Sequence, residues 1–330
     1  MNFPGAGTDP RADPAGAPLR LATRRSALAR TQSQLVADAL TARCGRRVEL
    51  VEITTYGDSS PAALTTIGGT GVFVSALREA LLAGTADFAV HSLKDLPTTP
   101  AHGLVLAAVP PREDARDALV ARDGLTLCEL PTGNRVGTGS PRRAAQLRAL
   151  GLDLAVVDVR GNVDTRLRLV ADGAVDAVVL ARAGLARLGL LDAVTEILDP
   201  IQMLPAPGQG ALAVECRRPR ADAPHDAELL ALLAELDDPP SRATVAAERG
   251  LLAALEAGCS APVGALADVV EGEDGDPEIY LRGVVARVDG SADYRLSAYG
   301  ALDDAEGVGR RLATAMLDEG VGDLMGERIP

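Results

Sequence analysis

Ala89-Val90-His91-Ser92-Leu93-Lys94-Asp95-Leu96-Pro97 is the stretch from which the fold of this chain is read. Phe88-Ala89-Val90, which overlaps its start, is a short apolar run of the kind a buried sheet strand shows. Pro97 discourages helix at Leu96 and sets a turn. Between them a histidine, a hydroxyl, an ammonium and a carboxylate fall within five positions. Lys94 is the sole lysine, so 32 of the 33 basic residues are arginine. A compact ammonium and a planar guanidinium do not exchange freely at a site. The pair Lys94-Asp95 reads either as a salt-bridged loop end of little energetic weight or as a catalytic carboxylate at the carboxyl end of a strand.

Outward from this stretch the chain alternates strands and helices. Residues 1–18 are rich in Gly, Ala, Pro and Asp without periodicity, the composition of a disordered tail. A strand at Leu19–Ala22 leads to Ser26, a suitable N-cap, and a helix with apolar positions Leu28, Leu35, Val36 and Leu40. Val48–Ile53 alternates like a half-buried strand, and the glycine-rich Gly68–Gly71 precedes a helix over 72–82. No Gly-Lys-Ser/Thr follows those glycines, which excludes a nucleoside-triphosphate loop. Strand 104–109 ends at Pro110-Pro111-Arg112-Glu113-Asp114, which reads as a crossing between domains. Residues 118–180 repeat the strand–helix rhythm and predict a parallel α/β sheet. The expected organisation is a first lobe over 19–110 that regains about 201–220, a second lobe over 111–200, and a smaller α+β domain over 225–330.

Composition excludes several functions. With a net charge of −13 and a sequence pI near 4.8, the chain is unsuited to non-specific nucleic-acid binding. Aromatic residues make up 2% and Trp is absent, which removes base-stacking platforms. No apolar run approaches the ~18 residues of a membrane span, and no signal peptide is visible at the start. Cys44, Cys128, Cys216 and Cys259 have no paired spacing, and His91, His102 and His225 are scattered, so neither a disulfide frame nor a metal site is expected. The expected setting is a reducing cytoplasm. An acidic surface nearly free of lysine points further to a high-salt one. Nothing demands more than a monomer.

Three helix starts carry arginines: Arg24-Arg25 beside Ser26, Arg142-Arg143 after Ser140-Pro141, and Arg160 before Gly161-Asn162 with Arg166 one turn on. Cations in a first helical turn oppose the macrodipole by ~0.3–1 kcal/mol each. They are explained by carboxylates of this chain or by a bound polyanion, where free N–H groups and guanidinium forks converge. Phosphates and carboxylates fit equally. Cys259, in Gly258-Cys259-Ser260-Ala261-Pro262, is either a small buried residue or an exposed thiolate able to react. Two rival classes remain at this point, a non-catalytic two-lobed anion receptor and a transferase with Cys259 as transient nucleophile.

Six ordered motifs then carry a resemblance: Ala22–Ser26, Ala89–Pro97, Gly137–Arg143, Arg160–Leu167, Pro207-Gly208-Gln209-Gly210 and Gly258–Gly264. Together, from Leu19 to near the C-terminus, they resemble porphobilinogen deaminase (hydroxymethylbilane synthase). The resemblance implies an α/β fold of two periplasmic-binding-protein-like (type II) lobes around a cleft plus a smaller α+β C-terminal domain. It implies a dipyrromethane cofactor joined to Cys259 by a thioether, and the head-to-tail condensation of four porphobilinogen molecules with loss of ammonia. By the same match Asp95 is the catalytic residue. Lys94, Ser92, Arg142, Arg143, Arg160 and Arg166 are implied to hold the cofactor, and Arg24, Arg25, Arg187, Phe73 and Gln209 the substrate. The chain departs from its bacterial relatives in the glycine loop, where Thr66 and Thr70 stand in place of lysines, which leaves a lid role but not a charge-based one.

Overall fold

The computed structural model describes residues 17–54, 72–257 and 261–324, the side chains of residues 72 and 73 excepted. Residues 1–16 of the tail expected over 1–18, the glycine loop with Thr66 and Thr70, the expected cofactor position Cys259 and the side chain of Phe73 lie outside the described residues.

The chain opens with β1 (Leu19–Arg24), α1 (Ala27–Cys44), β2 (Val48–Ile53), α2 (Val72–Leu82), β3 (Phe88–Ser92) and β4 (Leu104–Ala108). It continues with β5 (Asp117–Ala121), β6 (Arg135–Gly137), α3 (Pro141–Ala149), β7 (Ala155–Val157), α4 (Val163–Ala171), β8 (Ala177–Ala181), α5 (Arg182–Arg187) and β9 (Glu196–Ile197). Then come β10 (Leu212–Arg217), α6 (Pro224–Ala234), α7 (Pro239–Ala254), β11 (Val263–Glu271), β12 (Pro277–Ala286), β13 (Asp293–Ala301) and α8 (Ala305–Asp318). The caps follow local chemistry. Ser26 accepts from Ala29 N at 3.3 Å, Ser140 from Arg143 N at 3.4 Å and Asn162 from Thr165 N at 2.9 Å, each satisfying a donor that the helix start leaves orphaned.

Two five-stranded sheets share one plan, β2-β1-β3-β10-β4 and β7-β6-β8-β5-β9. In the first, β1 runs parallel to β2 and β3, while β10 is antiparallel to both β3 and β4. In the second, β6 is parallel to β7 and β8, and β5 is antiparallel to β8 and β9. The sheets are therefore mixed, where the strand–helix rhythm predicts parallel ones. Each antiparallel strand adjoins a chain crossing, β5 just after residues 109–116 and β10 just after 198–211, so it enters its sheet from the other lobe. This is the type II two-lobed architecture. A third sheet, β11-β12-β13, is an antiparallel meander. It packs on α7 and α8 through Ala247, Leu251, Leu281, Val285, Leu312 and Met316.

One element sits elsewhere than the sequence predicts. α6, expected to open the C-terminal unit at 225, buries Leu229 and Leu233 against Leu19, Phe88 and Val214 of the first sheet. Its apolar stripe matches that sheet's open face, and the third sheet is already covered by two helices.

The crossings are locked by close contact. Gly210 has φ +87°, and a Cβ there would lie 2.2 Å from the carbonyl oxygen of Glu113 on the opposing segment. Only glycine fits. Beside it the fully buried Glu248 of α7 accepts both arms of Arg112 (2.7 and 3.0 Å), the Gly208 N–H (2.6 Å) and the Ala267 N–H (2.9 Å). One carboxylate thus joins both crossings to the third sheet. Glu248→Ala leaves Arg112 an uncompensated buried charge, and urea denaturation is expected to show a loss of about 3–5 kcal/mol; a loss under about 1 kcal/mol contradicts the clamp.

Candidate active site

The site grows from the C-terminal end of β3. Phe88–His91 are buried, and past Ser92 the chain makes a single 3₁₀ turn over Leu93–Asp95. Leu93 and Leu96 anchor this turn in a core with Val74, Val109 and Ala213. The residues between them project outward, Lys94 half-buried and Asp95 exposed. Ser92 Oγ lies 3.0 and 3.2 Å from the amide nitrogen and oxygen of Gln32, a buried residue of α1.

Lys94 Nζ donates to Gln209 Oε1 at 3.1 Å. The Gln209 amide donates in turn to Ala115 O and to Asp117 Oδ1, both at 2.8 Å. Asp117 is fully buried and heads β5. Arg142 Nη2 reaches its Oδ2 at 2.8 Å, while Arg143 Nη2 and Nε reach Oδ1 at 2.7 and 3.1 Å. Arg143 also donates to Val179 O at 3.0 Å, and Arg142 to Leu204 O. Burial pushes the Asp117 carboxyl upward, but the two guanidiniums outweigh it and hold the group well below the usual carboxylate range.

The same enclosure acts oppositely on Lys94. Burial, with the Arg143 charge adding to it, lowers its pKa to about 8 against the pull of Asp95 and Asp117. Since the folded value lies below the unfolded one, the ammonium weakens folding at low pH. That loss is recovered as pH rises from about 8 toward 10.5. A bound polycarboxylate shifts the balance back toward the ammonium.

A second cluster adjoins the first. Arg166 Nε donates to Gly161 O at 3.0 Å; burial, then the charges of Arg143 and Arg160, disfavour its protonated form. Arg160 is exposed and 3.0 Å from Asp158. Arg187 Nη2 donates to Gly210 O at 2.6 Å, next to Gln209, and burial lowers its pKa. Arg24 ends β1, whose parallel register with β3 (Ala22 beside Ala89) brings the two strand ends out at one edge. Arg25 is not drawn in: it is exposed and 3.8 Å from Glu52 at the outer strand. Among the described residues, the linked charges Lys94, Arg142, Arg143, Arg160 and Arg166 are five cations against three carboxylates, Asp95, Asp117 and Asp158.

Sequence reasoning missed Gln32 and Asp117. For Asp117 a signal existed, a carboxylate heading the wholly apolar Ala118–Ala121. Among the described residues no group of His, Cys, Asp or Glu is arranged to hold a metal. A cavity of about 560 Å³ between the crossing and the third sheet is lined by Arg112, Arg116 and Arg282 among others, and by none of Ser92, Lys94, Asp95 or Arg143.

Because Lys94 is the sole lysine, its titration can be followed by amine-reactive labelling and peptide mapping. In the Cys259→Ser chain, labelling is expected to reach half its maximal rate near pH 8; a midpoint near the ordinary lysine value contradicts the enclosure.

Comparison with known proteins places the chain. A family profile described as the dipyrromethane cofactor binding domain of porphobilinogen deaminase matches residues 19–225, and one for the porphobilinogen deaminase C-terminal domain matches 242–318. Porphobilinogen deaminase 1 of Streptomyces coelicolor is 58% identical over 318 residues, 94% of this chain and 98% of its own. Porphobilinogen deaminase of Nocardia farcinica is 58% identical over 316 residues (94% and 89%), and that of Mycobacterium tuberculosis 57% over 311 (93% and 98%). Among solved structures, the methionine-binding protein MetQ aligns with 69% of this chain and 90% of its own at 15% identity and a TM-score of 0.43, a likeness on which nothing here rests. Matched in order by both profiles and more than half identical to these relatives along nearly its whole length, the chain belongs to the porphobilinogen deaminase family.

Proposed function

We propose that this chain joins four porphobilinogen molecules head to tail, with loss of ammonia, and releases hydroxymethylbilane by hydrolysis, as a transferase of tetrapyrrole biosynthesis. The observation that carries this reading is the excess of positive charge beside Asp95. Porphobilinogen bears an acetate and a propionate, so the growing chain is a flexible polyanion that supplies the missing negative charge.

The residues present fit a dipyrromethane. Its carboxylates need cations in a largely enclosed site, and the linked group offers them; among the described residues the buried Nε of Arg142 has no hydrogen-bond partner. Ser92, Lys94, Arg142, Arg143, Arg160 and Arg166 would hold it, with Cys259 as its anchor. When bound, it supplies a covalently held primer whose free pyrrole carbon accepts the first unit. Arg24, Arg187, Gln209 and Phe73 are assigned to incoming substrate, with Arg25 left at the margin by its Glu52 contact.

Asp95 performs the chemistry. The substrate's aminomethyl group, protonated as –CH2–NH3+, leaves as ammonia when its C–N bond breaks, and its positive charge passes to the pyrrole ring. A fixed carboxylate beside the ring nitrogen stabilises that charge, and it takes up the proton lost when the ring regains aromaticity. Lys94, cationic below about pH 8, would hold a carboxylate of the primer next to Asp95 and so orient the ring that accepts the incoming unit. One stationary carboxylate serves every addition if the product chain moves past it.

We assign the three structural units to a first lobe over 19–110 plus about 201–220, a second lobe over 111–200, and a C-terminal domain. Among the described residues no helix is long and apolar enough to cross a membrane. We place the protein in the cytoplasm as a monomer, and its net charge of −13 suits a salt-rich one.

Intact-mass measurement tests the anchor. Purified protein is expected to exceed its sequence mass by two pyrrole units that map to the Cys259 peptide, and Cys259→Ser to lack them; a fully active, unmodified enzyme refutes the assignment. Asp95→Ala is expected to keep the adduct and lose turnover by roughly a hundredfold or more, so wild-type rates in that variant remove Asp95 from the mechanism.

A further inference from the structure

The helix α7 grips the Lys94-Asp95 turn from two sides. On one side Glu248 accepts the N–H of Gly208 at 2.6 Å. Gly208 lies hard against the turn, since a Cβ there would sit 3.2 Å from Leu93 Cδ2 and 3.4 Å from Lys94 N. On the other side Arg249, the next residue of α7, donates from Nη1 to Leu96 O at 2.8 Å and from Nη2 to Pro97 O at 2.7 Å. Those carbonyls close the turn that displays Asp95. The Leu96 N–H already bonds Leu93 O, and Pro97 has none, so the two carbonyls are the backbone groups by which the turn's far end can be held. A guanidinium presents two N–H groups in one plane and fits successive carbonyls as a rigid fork, which an ammonium cannot reproduce.

The same helix ends at Ala254, five residues before Cys259. From Arg249 to that end is about 7.5 Å of helix at the usual rise per residue. The turn and the helix are 152 and 153 residues apart along the chain at these contacts.

We infer that Arg249 is a positioning residue for the condensation: its fork fixes the far end of the Asp95 turn of the first lobe against α7, so that the carboxylate keeps one placement through successive additions. The inference rests on the reading of Asp95 as the reacting group. Arg249 touches neither substrate nor cofactor in this role. It acts through the backbone of residues 96 and 97, and misplacing a reacting group by about 1 Å is enough to slow a reaction roughly a hundredfold.

The test compares full-length wild type, Arg249→Ala, Arg249→Lys and Asp95→Ala. Arg249→Ala is expected to retain the two-pyrrole adduct and a KM within about twofold of wild type, to lose kcat about ten- to a hundredfold, and to exchange backbone amide hydrogens faster in a peptide spanning 93–99. Arg249→Lys restores one donor and recovers part of kcat, and added methylguanidinium raises the rate of Arg249→Ala. Wild-type kcat with unchanged exchange in Arg249→Ala overturns the inference, as does loss of the adduct together with a collapse in thermal midpoint, which marks a purely structural role. Asp95→Ala separates the two possible failures. Impaired turnover there beside an unimpaired Arg249→Ala sinks the positioning role alone, whereas wild-type turnover in Asp95→Ala sinks the reading beneath it.

Discussion

A carboxylate sealed from water is stable as an anion only when its charge is met directly. Asp117 meets that condition through Arg142 and Arg143 at 2.7–3.1 Å, with the Gln209 amide completing its shell. The rest of the site follows from this contact. Gln209 comes from the second crossing and passes the field of Asp117 to Lys94 on the first lobe, so groups from three parts of the chain are held in one hydrogen-bonded series. Because one buried carboxylate is shared among several cations, the assembly keeps a positive excess. A surface pair would be screened by salt and worth little.

The clamp at Glu248 does the corresponding work for the domains. It takes four donors from both crossings and the third sheet, while Gly210 lets the crossings touch where any side chain would collide. A two-lobed cleft has to hold a product that lengthens by one ring at a time. The lobes meet at crossings that are both pinned to the third unit through this one carboxylate.

Much of this was legible in the sequence because it depends on local pattern. The apolar run at Phe88–Val90, the caps at Ser26 and Ser140, and the arginines at three helix starts each declare themselves within a few residues. What was not legible depends on partners far apart. Asp117 and Arg142 are 25 residues apart, Ser92 and Gln32 60, and Arg112 and Glu248 136, and no periodicity encodes such pairs. Strand direction was misjudged for the same reason: alternation of strands and helices predicts parallel sheets, but β5 and β10 enter from chain crossings and run antiparallel. α6 looked like the start of the last unit because it follows a proline-rich linker, yet its leucines complete the first core. Of the two readings of the helix-start arginines, the structure shows the pairing with a carboxylate of the chain at Arg142 and Arg143, which both meet Asp117; the anion-binding reading belongs to the proposed function.

The central claim is that the surplus cations receive the pyrrole acids while Asp95 faces the ring nitrogens. A crystal structure of the primer-bearing enzyme soaked with porphobilinogen examines it directly. The account predicts pyrrole carboxylates on Arg143, Arg166 and Lys94, with an Asp95 oxygen within about 3.2 Å of a ring nitrogen. Pyrrole acids turned to solvent, or ring nitrogens directed away from Asp95, would contradict it.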